Sequence, residues 1–370
     1  MLKHAVGVLA LLCLSVFSLG FGPPKLIESD SPKLPVYQHQ LTLIRRCSPP
    51  EVRAKAGLIM DASTGRVVFQ RNAHQRLAPA STTKIMTAIV ALERGSLNDK
   101  IVIQQRHLAE DPFNESVMGL TVGDVVTLED LLWGLLLPSG NDAARAIADH
   151  IGGSEERFME MMNEKASELG LKNTHFTNPH GLDEAGHFSS AYDLAVMSRY
   201  ALANPIFAKI VASRNHIVQA SRSYQLQSGN ELLYPQYRVP GVDGVKTGFT
   251  ENAGDCLVAS VTRAGHQVIV VVTGAEDRVA AAVPLIDYAF NSFTWLALKA
   301  PAGCCASDVE GNGCSVLLSQ TREEMLPQWQ KYYLNCSVHL RGDPNPDGVG
   351  VVTYSVGGME LAKLSLVQSP

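Results

Sequence analysis

Ser81 and Lys84 lie three residues apart in this sequence, and a hydroxyl and an amine so close together can act as a nucleophile and its base. On a helix, this spacing places the hydroxyl and the amine on one face, within reach of each other. A serine needs such a neighbouring base to become a nucleophile. Taken alone the pattern is weak, because ordinary exposed helix starts produce it often. The pair predicts a nucleophilic serine only if further motifs support it.

Two further motifs follow in the chain. Residues 139–141 read Ser-Gly-Asn, directly after an apolar predicted helix, and residues 246–248 read Lys-Thr-Gly at the start of a predicted strand hairpin. The set S-x-x-K, S-x-N and K-T-G is typical of penicillin-binding proteins and class A β-lactamases. Their order and separation are far more specific than any one of them.

Longer stretches around these motifs resemble the low-molecular-mass penicillin-binding D-alanyl-D-alanine carboxypeptidases, a family of serine-type D,D-peptidases. The resemblance covers about residues 50–298 and, more loosely, the C-terminal tail. The glycine within 139–141 and the segment Asn-Pro-His-Gly-Leu at 178–182 are more similar to carboxypeptidases than to β-lactamases. The resemblance implies an α+β fold of the β-lactamase/transpeptidase type, with an antiparallel sheet, a helical subdomain and a small C-terminal β domain. The stretches that carry it are 137–144, 173–183, 190–193 and 241–250.

The resemblance also implies a role for each motif residue. Ser81 attacks the carbonyl between two terminal D-alanines, and Lys84 takes its proton. Lys84 must be neutral for this, and burial together with the cationic Lys246 would lower its pKa. Ser139 relays a proton to the leaving D-alanine, Asn141 orients the substrate amide, and water then hydrolyses the acyl-enzyme.

Substrate binding is implied in the same way. Lys246 and Thr247 bind the terminal carboxylate, and Gly248 lets the strand edge approach the substrate. The backbone N–H groups of the nucleophile and of Phe249 form the oxyanion hole. Arg278 is the candidate for an additional arginine on that carboxylate, although its local pattern departs from that of the family.

A histidine-rich stretch admits a second interpretation, a metal-peptidase site. Its residues are His175, His180, Asp183, Glu184 and His187. The zinc motif H-E-x-x-H is missing from the sequence, and the intervening glycines and proline predict an irregular loop. We therefore expect these side chains to shape a loop through hydrogen bonds, and we predict neither a metal nor a cofactor.

The N-terminus indicates export. Lys3 and His4 precede an apolar run at 5–19, which is typical of a signal peptide and shorter than the roughly 20 residues of a membrane span. We expect a periplasmic or extracytoplasmic protein, attached to the membrane only if this leader is retained. Export permits disulfides, with three possible pairings, among the clustered cysteines Cys304, Cys305, Cys314 and Cys336. Zinc is the less favoured alternative there, and Cys256 is predicted to be a core residue.

Periodicity predicts the elements that position these residues. A hairpin is expected at 56–70 and another at 256–272, and Ser190 with Asp193 forms a capping pattern that argues against Asp193 as an acid catalyst. The predicted helices are 81–94, 128–137, 142–151, 155–169, 191 to about 202, and 283–296. The predicted domains are a signal peptide at 1–22, a leader at 23–50, a catalytic domain at 51–298, a cysteine- and glycine-rich junction at 299–313 and a β domain at 314–370.

Composition narrows the function. With 46% hydrophobic and 18% charged residues and a formal net charge of −5, the chain is predicted to be globular, and it contains no dense basic run that could bind nucleic acid.

The expected partners are peptidoglycan stem peptides, with β-lactams as inhibitors. The leading hypothesis is removal of the terminal D-alanine from stem pentapeptides. The alternatives are an endopeptidase that cuts D,D crosslinks, a β-lactamase, and a non-catalytic wall-binding protein.

Overall fold

The computed structural model describes residues 48–108, 114–299, 305–307, 313–345, 348–356 and 359–368. Contacts divide the chain into two units, the first comprising Pro49–Asn291 and the second beginning at Ser292. The predicted boundaries at 298 and 313 stay a prediction. The predicted signal peptide and all but the end of the leader lie outside the described residues. None of the helices within the described ranges combines the length and the apolar character that a membrane crossing requires.

The first unit contains strands and helices in mixed order. Its strands are β1 (Ala54–Asp61), β2 (Val67–Arg71), β3 (Lys100–Val102), β4 (Val125–Thr127), β5 (Asn215–Gln219), β6 (Ser223–Gln227), β7 (Val242–Thr250), β8 (Gly254–Arg263) and β9 (His266–Ala275). Its helices are α1 (Lys84–Arg94), α2 (Leu128–Leu136), α3 (Asn141–Gly152), α4 (Glu155–Glu168), α5 (Ala191–Leu202), α6 (Pro205–Val211) and α7 (Arg278–Ser292), the last of which ends at the boundary.

The central sheet is antiparallel, with the order β2-β1-β9-β8-β7. Both predicted hairpins are confirmed, and the turn at Ala264 and Gly265 joins β8 to β9. The middle residues of β8 and β9 are buried without alternation, because packing covers both faces of the sheet. This leaves β7 as an edge strand, and β7 carries the Lys-Thr-Gly motif.

Helix α1 is the centre of the helical part. Its residues from Lys84 to Ala91 are buried, and it contacts α2, α3, α4 and α5.

Capping residues in the sequence fix where the neighbouring helices begin. At the start of α2, Thr127 Oγ1 accepts a hydrogen bond from the backbone N–H of Asp130 and the Asp130 carboxylate accepts one from that of Thr127, as a capping box requires.

The predicted cap of α5 is confirmed in part. Ser190 Oγ accepts a hydrogen bond from the backbone N–H of Asp193 at 3.2 Å. The Asp193 carboxylate instead accepts hydrogen bonds from Asn173 N at 2.7 Å and Thr174 Oγ1 at 2.8 Å. Asp193 therefore holds a neighbouring loop in place rather than completing a capping box.

The predicted end of α5 is confirmed, whereas the last predicted helix was wrong in extent. Asn204 and Pro205 end α5 as expected, but they also begin the short helix α6, because Asn204 Oδ1 accepts a hydrogen bond from Ile206 N at 2.9 Å. The last helix was predicted at 283–296, whereas α7 ends at Ser292 and Phe293–Leu298 forms a strand. That strand pairs with Arg322–Pro327, a partner distant in sequence, and tertiary pairing overrides the helical periodicity.

The second unit is a small β structure, as predicted. Its strands are β10 (Phe293–Leu298), β11 (Cys305–Ser307), β12 (Gly313–Leu318), β13 (Arg322–Pro327), β14 (Leu334–Asn345), β15 (Gly348–Val356) and β16 (Met359–Gln368). Strands β11-β12-β16-β15-β14 form one sheet, whose core includes Val352, Tyr354 and Leu364.

The cysteines of this unit do not support the predicted disulfide at Cys336, which is an exposed free thiol on β14. Cys304 lies outside the described residues, as do the side chains of Cys305 and Cys314. In the first unit, Cys256 is a buried free thiol, which confirms its prediction as a core residue.

Asp142 ties the start of α3 to the loop before β4. Its carboxylate accepts hydrogen bonds from the backbone N–H groups of Met118, Gly119 and Leu120 at 2.8, 2.9 and 3.0 Å. We predict that Asp142→Ala lowers the free energy of unfolding by about 3 to 5 kcal/mol, because these donors lose their acceptor in a buried place. Urea unfolding measures this. Glu160→Ala removes a carboxylate from an exposed ion pair on α4 and is expected to change little. If Asp142→Ala lowers the free energy of unfolding as little as Glu160→Ala does, the anchoring role is contradicted.

Candidate active site

Ser81 lies in a single 3₁₀ turn, Ala80–Thr83, that leads directly into α1. Thr82 Oγ1 donates a hydrogen bond to the carbonyl of Pro79 at 2.6 Å and so closes this turn. Ala80 has a φ of 48°, a left-handed conformation that costs energy for a residue with a side chain. Ser81 is half-buried, whereas Lys84 is fully buried. The turn thus presents the hydroxyl at the surface of the site and keeps the amine inside.

The Lys84 amine has three oxygen neighbours from three parts of the chain. Its Nζ lies 2.9 Å from Ser81 Oγ, 2.7 Å from Asn141 Oδ1 and 2.7 Å from the carbonyl oxygen of His180. The structure therefore brings together Ser81, Lys84 and Asn141 from two of the three motifs. The His180 carbonyl is a member that sequence reasoning missed, because a backbone oxygen leaves no trace in residue type.

Electrostatics favour the neutral form of this amine. Burial, and after it the positive charges of Lys246 and Arg145, hold the pKa of Lys84 well below its usual range, while Asp142 and Glu115 act in the opposite direction. A neutral amine has two N–H groups and one lone pair. The amide oxygen of Asn141 and the carbonyl oxygen of His180 can only accept, so they take both N–H groups. The lone pair is then directed at the Ser81 hydroxyl.

The loop 178–182 sets the position of the His180 carbonyl. Asn178 Oδ1 accepts a hydrogen bond from Gly181 N at 2.7 Å, and Thr87 Oγ1 on α1 donates one to the carbonyl of Pro179 at 2.6 Å. Gly181 has a φ of 89°, and a Cβ there would lie 2.0 Å from the carbonyl oxygen of Ala80. The loop backbone is therefore packed directly against the turn that carries Ser81.

The histidines of this stretch form hydrogen bonds within the fold. His187 Nδ1 accepts from Thr177 N at 3.1 Å, so its Nε2 carries the proton and donates to Thr83 Oγ1 at 2.8 Å. Burial lowers the pKa of His187 to about 4 and that of His180 to about 2, so both rings are neutral at pH 7. Among the described residues, no three His, Cys, Asp or Glu side chains lie close enough together to hold a metal ion.

The edge strand β7 borders the nucleophile. A Cβ on Gly248 would lie 2.8 Å from the backbone nitrogen of Ser81, so only a glycine permits this approach. The next residue, Phe249, is 58% exposed. Lys246 is buried, and its Nζ donates to the carbonyl of Thr247 at 2.9 Å. Burial, and after it the positive charge of Arg278, lowers the pKa of Lys246 to about 7. The third motif thus lies beside the first.

The positions of Ser139 and Arg278 support their predicted roles less directly than those of the other site residues. Ser139 is buried with a φ of 67°, and within the described residues its Oγ has no hydrogen-bond partner. A buried hydroxyl without a protein partner is costly unless water or a ligand pairs with it. The guanidinium of Arg278 donates to the carbonyl of Gly248 at 3.2 Å and pairs with Glu231 at 3.0 Å and Asp255 at 3.3 Å. Arg278 lies behind the β7 motif with its charge already paired, and its binding of substrate stays a prediction.

Sequence reasoning also missed an ion pair behind Asn141. Asn141 Nδ2 donates to Glu115 Oε2 at 2.8 Å, and Arg145 Nη1 lies 3.0 Å from the same oxygen. Arg145 could have been found, because it follows Asn141 by four residues and so shares its face of α3. Glu115 could not, because it lies 26 residues before Asn141 and no local pattern marks it.

The packing of Gly181 can be tested against a glycine of similar backbone conformation. Gly153, at the end of α3, has a φ of 74°, and a Cβ added there would meet nothing within 4 Å. We predict that Gly153→Ala lowers the free energy of unfolding by about 1 kcal/mol, the cost of the left-handed conformation. Gly181→Ala is expected to cost at least twice as much, because the methyl group also collides with the Ser81 turn. Equal losses in urea unfolding would show that the contact with Ala80 is not tight.

The chain is similar in sequence to known proteins. A family model described as D-alanyl-D-alanine carboxypeptidase matches residues 44–277. D-alanyl-D-alanine carboxypeptidase DacF of Bacillus subtilis (strain 168) is 36% identical over 296 residues, which are 77% of this chain and 71% of that protein. D-alanyl-D-alanine carboxypeptidase DacD of Escherichia coli (strain K12) is 40% identical over 242 residues, and the match spans 60% of its length.

Solved structures give the same result for the fold. Penicillin binding protein 6B from Escherichia coli is similar with a TM-score of 0.72 and 32% identity, over 86% of this chain and 96% of that one. The Streptomyces K15 DD-transpeptidase is similar with a TM-score of 0.61 and 34% identity, over 66% of this chain and 99% of that one. The predicted fold class is confirmed. Because the family model covers more than half of the chain, and the Bacillus subtilis relative agrees, this chain belongs to the D-alanyl-D-alanine carboxypeptidase family of serine peptidases.

Proposed function

We propose that this chain removes the terminal D-alanine from peptidoglycan stem pentapeptides through an acyl-enzyme on Ser81. The observation that carries the proposal is the set of contacts of Lys84, whose Nζ lies 2.9 Å from Ser81 Oγ and 2.7 Å from two oxygens that can only accept hydrogen bonds. A buried neutral amine in this arrangement is a base aimed at one hydroxyl. Family membership supplies the class of substrate.

In the acylation step, Lys84 removes the proton of Ser81 while Oγ attacks the carbonyl carbon between the two D-alanines. The carbonyl oxygen becomes an oxyanion, which the backbone N–H groups of Ser81 and Phe249 stabilise. The intermediate then breaks its C–N bond, and the leaving D-alanine nitrogen takes a proton. Ser139, whose hydroxyl is buried and unpaired among the described residues, relays that proton from Lys84.

In the deacylation step, a water molecule replaces D-alanine. Lys84 accepts a proton from this water as the water attacks the ester carbonyl, and Ser81 recovers its proton when the ester bond breaks. The products are the shortened peptide with a new carboxylate and the free enzyme. A β-lactam follows the first step alone, because its opened ring stays attached to the acyl group and blocks the second.

Substrate binding rests on the β7 motif. The Lys246 ammonium and the Thr247 hydroxyl bind the carboxylate of the terminal D-alanine, and Gly248 lets the peptide lie along the open edge of the strand. Arg278 is the candidate for a further contact with that carboxylate, and its guanidinium is held next to β7 by Glu231 and Asp255. Asn141 holds the amide of the substrate in line with the nucleophile.

We further propose that the protein is exported and acts on the cell wall outside the cytoplasm. The signal-peptide pattern at 1–22 and the cell-wall substrate of the family support this localisation. Attachment to a membrane would then depend on whether the leader is cleaved. The endopeptidase alternative uses the same machinery, and comparing the release of D-alanine from a free pentapeptide with the cleavage of a crosslinked dimer distinguishes the two activities.

The acyl-enzyme can be tested directly by intact-mass spectrometry of the protein with and without benzylpenicillin. We predict a stable adduct of one penicillin per chain, which hydrolyses slowly. Ser81→Ala removes the nucleophile and should form none, while a serine outside the site, as in Ser154→Ala at the cap of α4, should leave the adduct unchanged. If the wild-type protein forms no adduct and consumes no penicillin, the wall-binding alternative replaces this proposal. Rapid turnover of penicillin would favour a β-lactamase.

The pH dependence of kcat/KM tests the role of Lys246. Carboxylate binding needs the protonated amine, and the pKa of Lys246 is lowered to about 7, so kcat/KM should fall by about tenfold per pH unit above that value. Lys246→Arg keeps a positive charge at all relevant pH values, so the falling limb should move to higher pH. If Lys246→Arg keeps the falling limb of the wild type, that limb reports the titration of another group.

A further inference from the structure

The side-chain amide of Asn141 has two different ends, and the reaction proposed above needs one particular orientation. Its Oδ1 accepts a hydrogen bond from Lys84 Nζ at 2.7 Å, and its Nδ2 donates one to Glu115 Oε2 at 2.8 Å. An amide can turn by half a rotation and exchange these ends with little change in shape. A neighbouring group must therefore hold the Asn141 amide in the orientation in which its oxygen faces Lys84.

The Glu115 carboxylate is suited to this task because an ionised carboxylate only accepts hydrogen bonds. If the amide were reversed, Oδ1 would face Glu115 without a hydrogen between them, and Nδ2 would face Lys84. An N–H group there would attract the lone pair of the neutral amine, which the reaction needs at Ser81. The contact with Glu115 thus selects the orientation in which Lys84 can act as a base.

Arg145 in turn holds Glu115. Its Nη1 lies 3.0 Å from the same oxygen that accepts from Asn141, and the two side chains are only 11% and 7% exposed. A carboxylate this deeply buried would tend to protonate without a cationic partner. Because Arg145 follows Asn141 by one helical turn on α3, the arginine, the glutamate and the amide form a continuous hydrogen-bonded chain that ends at Lys84.

We infer that Glu115, kept ionised and in place by Arg145, is a positioning residue for this enzyme and fixes the Asn141 amide so that its oxygen faces Lys84. The inference rests on the proposed function, since it assigns a use to the orientation of the Lys84 lone pair. Neither residue belongs to the three motifs, and both act on Ser81 only through Asn141 and Lys84.

The test is the second-order rate constant for acylation by benzylpenicillin, measured over a range of pH. Glu115→Gln keeps the size of the side chain but lets it donate as well as accept, so both orientations of Asn141 become available. We expect the rate constant to fall by about tenfold to a hundredfold, the effect of losing one hydrogen bond to a charged group.

The rising limb of the pH profile gives a readout that a purely structural role would not change. The charged groups that act on Lys84 are Glu115 and Asp142, which raise its pKa, and Arg145 and Lys246, which lower it; the neighbouring ring of His180 is neutral. Glu115→Gln should move the limb to lower pH. The double variant Glu115→Gln with Arg145→Gln restores the charge balance, so its limb should return toward that of the wild type while its rate constant stays low.

Two control variants bracket the effect. Arg145→Lys keeps the cation beside Glu115 and is expected to retain the wild-type limb and most of the rate. Glu93→Gln breaks a similar ion pair, that of Glu93 with Lys165, whose side chains are 29% and 13% exposed. Glu93 lies nine residues and about 13 Å along α1 from Lys84. This variant should therefore be acylated as fast as the wild type. Thermal unfolding checks each variant, and the double variant supplies the comparison if Glu115→Gln does not fold.

The outcomes separate this inference from the proposal on which it rests. If wild-type protein is not acylated, and behaves like Ser81→Ala, the proposed function and this inference both fail. If the wild type is acylated and Glu115→Gln matches it at every pH, only the positioning role fails. Full recovery of the rate in the double variant would likewise overturn it, because the pair would then act through charge alone.

Discussion

The amine of Lys84 is fully buried, and its surroundings must stabilise it there. A charged ammonium in a fully buried place would cost several kcal/mol, so the surroundings must favour the neutral form and satisfy its N–H groups. They do so with oxygens from separate elements, the Asn141 side chain on α3 and the His180 carbonyl in a loop. What remains is a lone pair directed at Ser81. The chemistry is therefore a consequence of how three segments meet around one nitrogen.

The same constraint explains why the backbone approaches so closely at two glycines. Gly181 lets the 178–182 loop pack on the carbonyl of Ala80, and this contact places the His180 carbonyl over Lys84. Gly248 lets β7 reach the backbone nitrogen of Ser81. Side chains at either position would push these segments apart. The half-buried nucleophile is thus held between a loop and a strand edge.

Charged side chains of both signs surround Lys84. Lys246 and Arg145 disfavour a proton on Lys84, while Glu115 and Asp142 limit the effect. The two carboxylates also have structural uses, since Asp142 binds the backbone of the loop at Met118 and Glu115 binds the amide of Asn141. Each acidic group near the base therefore both tunes its pKa and fixes a neighbouring segment.

Residue order alone predicts the motifs and most of the elements that carry them. Ser81 and Lys84 at helical spacing, the cap at Thr127 and the turn between the apolar runs of β8 and β9 are local patterns, and local hydrogen bonding and periodicity are legible in residue order. The strand Phe293–Leu298 could not be predicted in this way, because its partner strand lies far along the chain. The same holds for Glu115 and for the His180 carbonyl. Their importance lies in a contact across the fold, and neither a backbone oxygen nor a lone glutamate signals such a contact in sequence.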